Sequence, residues 1–242
     1  YRGAPYERVL LHACAAQSYM GLGLWQDAAV EGRIIIRRLE AREDYPDCAF
    51  SRYVAALSLE LTGDTPGARF EYRKAAAIAR HCTIDPLTGH VGPAGVTNVA
   101  AGPGGGAAEL VVLVGLGSGP YEDGIFGANS RWGPDPYAEI LLDGKTLGRS
   151  HVLSVTPELR AATASVTATR DAVKTASRIA IKETLASVIE QQNETLGELV
   201  RLGLFTLEAP DSRQWTTLPR WLGVARVRCP RDMTRIDMVF HG

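Results

Sequence analysis

Tyr19-Met-Gly-Leu-Gly23-Leu-Trp-Gln-Asp-Ala28 is matched 40 residues on by Leu59-Glu-Leu-Thr-Gly63-Asp-Thr-Pro-Gly-Ala68, and the match runs on through Glu31 and Glu71, then Arg33 and Arg73. Each copy reads as a helix closed by a glycine, a short turn, and a second helix whose alanine lets the two axes approach closely. Around the copies, Pro5 to His81 has few glycines, many alanines and apolar residues spaced by three and four, the helical period. Two such copies are too few to be stable alone, because stacked repeats bury their faces on neighbours. Either further repeats lie upstream, or the pair packs on the second half of the chain.

The spacing Gly23 to Ala28, repeated at Gly63 to Ala68, is that of tetratricopeptide-like helix pairs, whose period of about 34 residues is lengthened here by longer helices or an insertion around Arg42 to Asp47. Between Thr83 and Gly106 the composition shifts to Pro86, Gly89, Gly92, Pro93, Gly95 and Gly102-Pro-Gly-Gly-Gly106, which reads as a linker or mobile loop. Beyond it, Glu109-Leu-Val-Val-Leu-Val-Gly115 suits a strand buried on both faces. Tyr137 to Leu142 and His151 to Val155 read as two more strands, with a turn signal at Asp143-Gly144 but too long a stretch to His151 for a two-residue hairpin. Thr169 to Leu204 reads as one long helix or two, and Trp221 to Phe240 as a terminal hairpin around Cys229-Pro230-Arg231-Asp232. The expected class is α+β: helix pairs over 1–82, a linker over 83–106, and over 107–242 a small α+β domain with a mainly antiparallel sheet and one long helix.

The totals exclude several classes. With 45% hydrophobic and 22% charged residues in 242, the chain is neither disordered nor a disulfide miniprotein. Its longest apolar run, Leu110 to Leu116, falls far short of the ~20 residues that span a bilayer. A formal net charge of -1 argues against nucleic acid as partner, which needs a basic surplus to release counterions. Of the 26 basic residues only Lys74, Lys145, Lys174 and Lys182 are lysines, a bias that fits a GC-rich genome. Cys14, Cys48, Cys82 and Cys229 form no C-x-x-C pair and no finger spacing with histidine, so no metal site is expected. Buried free thiols are the default, with a disulfide among the first three left open.

Several motifs have two readings. Gly115-x-Gly117-x-Gly119 follows a strand as a phosphate cradle does, yet Pro120 comes next, no helix starts there, and the third glycine is one position early. Gly144-Lys145-Thr146 resembles the end of a phosphate loop, but Glu139 stands where its first glycine belongs. Arg170, Lys174, Arg178 and Lys182 recur every fourth residue and form one winding basic stripe, suited to an acidic partner or anionic headgroups, or simply solvated beside Asp171 and Glu183. Asp211-Ser-Arg213-Gln-Trp215-Thr-Thr-Leu218-Pro219 is either an aromatic and arginine binding spot or a connector pinned by its tryptophan. No nucleophile, base and orienting group assemble: there is no G-x-S-x-G, no H-E-x-x-H, and His12, His81, His90, His151 and His241 are scattered singly. Glu122 and Asp123 have no positioned partner.

The opening Tyr1-Arg-Gly-Ala-Pro-Tyr6-Glu7-Arg-Val-Leu-Leu-His12, the repeat, the strand leading to Gly119-Pro120, and the Asp211 to Pro219 block occur in an order that resembles a family of uncharacterised bacterial envelope lipoproteins with a tetratricopeptide-like front half. The resemblance implies export, a periplasmic or outer-membrane-associated life with peripheral or lipid-anchored attachment, and further helices upstream of Tyr1. It carries no chemistry, so no catalytic residue, cofactor or metal is expected. The expected function is a non-enzymatic envelope scaffold or adaptor that binds protein partners through a groove of the first helices, with Tyr19, Trp25 and Tyr53 as its candidate residues. The alternatives are a module that binds an envelope glycan or anionic lipid through Arg213, Trp215 and the basic stripe, and an unrecognised hydrolase.

Overall fold

The computed structural model describes residues 3–41, 45–96, 108–119, 136–165, 215 and 217–242. Pro5 opens α1 (Pro5–Gly21), where a missing N–H costs nothing, and the Glu7 carboxylate reaches back to the Ala4 N–H at 2.8 Å. Then come α2 (Trp25–Ala41), α3 (Ala49–Leu61) and α4 (Thr65–Ile78), the last capped by Asp64 accepting from the Gly67 N–H. Gly23 and Gly63 turn the chain between the helices of each pair with φ of +74° and +85°, a conformation that side chains resist. Ala28 and Ala68 are both buried.

The 40-residue offset reaches into the ion pairs. Glu31 of α2 meets His12 of α1 at 2.6 Å, and Glu71 of α4 meets Arg52 of α3 at 2.7 Å. The glutamate recurs because in each pair it ties the second helix to the first. The chain then forms a hairpin of β1 (Cys82–Ile84) and β2 (Val91–Pro93). Its loop is held by Asp85, which accepts from the Leu87 N–H and the Thr88 hydroxyl, and the Tyr53 phenol donates to the Gly89 carbonyl at 2.8 Å. The first part of the glycine- and proline-rich stretch is thus strand and turn; residues 97–107 lie outside the described ones.

Two three-stranded antiparallel sheets follow among the described residues. One orders β3 (Ala108–Leu116), β7 (Trp221–Cys229) and β6 (His151–Val155); the other orders β5 (Lys145–Arg149), β4 (Tyr137–Leu142) and β8 (Asp237–His241). A helical segment, residues 156–165, leaves β6. Helices come first and antiparallel sheets after them, in a mixed α+β chain. The expected long helix over Thr169 to Leu204 lies outside the described residues.

Alternation along β3 and β7 explains the layering. Val111, Leu113, Leu222 and Val224 face the helices and join one core with Leu10, Ile35, Tyr53 and Tyr72. Val112, Val114, Leu116 and Trp221 pack with Ala138, while Leu110, Ala225 and Val227 pack with Ile140 of the second sheet. The β3–β7–β6 sheet is therefore the middle layer. The helix pairs bury their inner face on it, the second of the two arrangements open to the sequence. Gly148 lets β5 cross close to β7, since a Cβ there would lie 2.6 Å from a Val227 methyl. By packing, the chain divides into one unit of Tyr1–Thr163 with Trp215–Gly242 and another of Ala164–Gln214.

Two local expectations are corrected. Asp143 and Gly144, with φ of 50° and 73°, do make a two-residue hairpin, because Lys145–Arg149 is itself a strand paired with β4. Trp221 to Phe240 is not a hairpin: β7 pairs with β3 and β6, while β8 pairs with β4. The seven residues 230–236 carry the chain from one sheet to the other. All four cysteines are free, and burial pushes the Cys82 thiol up to about 12, which keeps it protonated.

Candidate functional site

One residue, Ser150, separates β5 from β6, and the two strands belong to different sheets. Its N–H donates to the Ala138 carbonyl at 2.8 Å, and its hydroxyl oxygen accepts the Ala138 N–H, also at 2.8 Å. A side chain thereby stands in for a backbone carbonyl at the corner, and the hydroxyl hydrogen stays available. The corner separates the sheets and sets Arg149 and His151 on either side of the serine.

A cavity of about 550 Å³ opens at this corner. Pro136, Tyr137, Ser150, His151 and Val152 line it from the strands; Arg80 and His81, between α4 and β1, and Pro93 and Ala94 at the end of β2 line it from across. Among the described residues the lining has two arginines, two histidines and no carboxylate. Arg149 lies over the Tyr137 ring, 5.2 Å from its centroid, and His241 stacks with the same ring at 4.6 Å. Its cross-strand neighbour Glu139 is already engaged, accepting from the Thr146 hydroxyl at 2.6 Å and lying 3.1 Å from His241 Nε2. Those two contacts hold the Glu139 carboxyl below its usual range. Among the described residues neither Arg80 nor Arg149 has a carboxylate partner.

His151 is half-buried beside Arg149, and burial first, then that positive charge, brings its pKa down to about 4. At neutral pH it is an uncharged ring offering one donor and one acceptor. His81 lies 3.1 Å from Glu158 at the cavity border. Besides His81, three more histidines meet a glutamate: His12 with Glu31, His90 with Glu109, and His241 with Glu139. Only His151 has no acidic partner among the described residues, and it lines the cavity.

A second polar cluster is closed. On the helix face of β7, Arg226 takes both oxygens of Glu60 at 2.6 and 3.0 Å and binds Glu109 at 2.6 and 2.9 Å. The Tyr72 phenol donates to Glu60 at 2.6 Å, and His90 Nε2 lies 3.1 Å from Glu109. Against its burial, the hydrogen-bonded Glu60 carboxylate, with the Tyr72 and Tyr53 phenols beside it, holds the Arg226 guanidinium firmly charged. This group ties α3, α4 and β3 to β7, and its cation is fully matched.

The residues singled out in the sequence fall elsewhere. Trp25 is exposed at the α1–α2 turn, Tyr19 is half-buried, and Tyr53 is sealed in the core under the β1–β2 loop. Trp215 is half-buried: its backbone N–H donates to the buried Glu7 carboxylate at 3.0 Å and its indole N–H to the Thr217 hydroxyl. The chain segments around Glu7 and Trp215 thus meet. Arg170, Lys174, Arg178, Lys182 and Arg213 lie outside the described residues. No described helix is long and apolar enough to cross a membrane, and no group of three or more metal-ligating side chains occurs among the described residues. Compared with protein-family models, curated proteins and solved structures, the chain matches none.

Proposed function

We propose that the chain is a binding module for a small anion, a ligand carrying a phosphate or carboxylate group, which Arg80 and Arg149 hold in the corner cavity. The supporting observation is a cavity whose described lining has two arginines and no acid, and in which neither guanidinium is spent on a carboxylate of the described residues. A guanidinium presents a planar fork of donors that matches either oxyanion, and a cavity of 550 Å³ is of the size that takes small ligands. Ser150, with its free hydroxyl hydrogen, and neutral His151 add directional hydrogen bonds. A periplasmic or outer-membrane setting, implied by the family resemblance, makes an anionic glycan or lipid headgroup the expected source of the oxyanion.

Calorimetric titration with inorganic phosphate, a sugar phosphate, and vesicles of phosphatidylglycerol against phosphatidylcholine tests this. Two or three charge-assisted contacts predict a Kd of about 1 mM or tighter. The joint variant Arg80→Ala with Arg149→Ala is expected to abolish saturable binding. Preference for the vesicles assigns a headgroup, preference for the soluble phosphates a free metabolite. Absence of binding to every probe, or binding unchanged in the variant, contradicts the proposal.

One observation favours the envelope adaptor as a second reading. The α1–α2 turn exposes Leu22, Leu24 and Trp25 together, an apolar tip of the kind that protein partners cover. Cross-linking in intact cells, compared with a Leu22→Ser, Trp25→Ser variant, decides it: loss of a specific adduct supports the adaptor, an unchanged pattern opposes it.

A further inference from the structure

β8 forms an edge of its sheet, with β4 on one side and no strand on the other among the described residues. Edge strands ordinarily carry charges, proline or a bulge that discourage pairing with another chain. At the opposite edge, β5 has Lys145 and Arg149 and a register shift against β4. β8 has none of these over its centre. Its five residues pair with β4 in unbroken register, and Met238, Val239 and Phe240 are 45%, 44% and 50% exposed. Consecutive side chains point to opposite faces, so the strand is apolar and open on both.

The strand is also self-complementary. Asp237-Met-Val-Phe-His241 laid antiparallel on a second copy about Val239 sets Met238 against Phe240, and Asp237 against His241 at both ends. Parallel pairing in register would set Asp237 against Asp237, and moving the two-fold axis by one residue would set Val239 against a polar end. Asp237 already takes Arg235 of its own chain at 3.1 Å, and His241 faces Glu139 at 3.1 Å, so each end pair joins an existing set of charges. We propose that β8 is a self-association strand: two copies pair β8 with β8 antiparallel about Val239, joining two three-stranded sheets into one of six strands. The interface is isologous and closes at two copies. A five-residue strand buries less than the roughly 1,200 Å² of lasting interfaces, so the dimer is weak and concentration-dependent.

Sedimentation equilibrium from low micromolar to millimolar protein tests it, with circular dichroism confirming that each variant is folded. The native mass is expected to rise toward twice that of the monomer. Met238→Lys with Phe240→Lys sets lysine against lysine and is expected to stay monomeric, as is Met238→Glu with Phe240→Glu. Mixing the two variants sets lysine against glutamate at both positions and restores a mixed dimer. Should a double variant fail to fold, Val239→Arg, which places two like charges on the axis, replaces it. A native chain monomeric throughout, folded variants that dimerise as the native chain does, or a mixture that stays monomeric would overturn the proposal.

Discussion

Arg226 and Arg149 sit on neighbouring sheets of one molecule and are used in opposite ways. Arg226, on the helix face of the middle sheet, spends its guanidinium on Glu60 and Glu109 and joins helices to strands. Arg149, at the corner between the sheets, meets the face of Tyr137 and no carboxylate among the described residues, while its cross-strand neighbour Glu139 is taken up by Thr146 and His241. A matched cation in a packed layer is architecture. An unmatched one beside a cavity is an offer of binding, and the difference lies in what surrounds the guanidinium rather than in the residue type.

The largest effect expected from this contrast is on stability. Arg226→Met leaves two carboxylates and two tyrosines around an apolar stem, and urea unfolding should show a loss of about 3 kcal/mol, the low end for breaking a buried pair because both glutamates reach solvent. Next is the corner itself. Ser150→Ala removes the acceptor for the buried Ala138 N–H and is expected to cost about 1 to 2 kcal/mol by the same measurement.

A smaller effect is read through pH. Burial holds His151 and His90 below the ordinary 6.5, so as pH falls past that value the unfolded chain takes up protons that the folded chain refuses. Stability therefore declines with falling pH, and for His151 the decline ends near pH 4, where the folded ring also protonates. His151→Gln should flatten the segment between these values in a series of denaturant melts.

The last variant leaves the fold alone and removes the contrast. Ala94→Glu, on the exposed rim, supplies the cavity with the carboxylate it lacks. Stability should stay within about 0.5 kcal/mol, as for other surface changes, while anion affinity falls tenfold or more. An unchanged affinity would mean that the cavity's charge is not what binds.

Much of the fold was legible because it is written in local terms. The turn glycines Gly23 and Gly63 and the alanines Ala28 and Ala68 mark both helix pairs, whereas β3, read as buried on both faces, packs on helices and sheet alike but with Val111 and Val112 only half-buried and Val114 buried. β5 was missed because Lys145-Thr-Leu-Gly-Arg149 has one apolar side chain and a glycine kept for close packing, so no alternation shows. The partners of β7 and β8 were misjudged because alternation identifies a strand but not its neighbour, and here the neighbours are far away in sequence. The cavity was illegible for the same reason. Its residues come from positions 80–81, 93–94, 136–137 and 149–152, with no motif spacing among them. The histidine–glutamate pairs lie 19, 77 and 102 residues apart, beyond any local pattern.

Oxyanion binding in the corner cavity beside Arg149 and His151 is decided by nuclear magnetic resonance of the histidine rings during titration with inorganic phosphate, with His151 assigned from His151→Gln. Expected are a saturable shift of the His151 ring signals and an upward movement of its titration midpoint from about 4, because a bound anion offsets the Arg149 charge, with His90 unmoved. His151 signals and midpoint that stay fixed to saturating phosphate would contradict it.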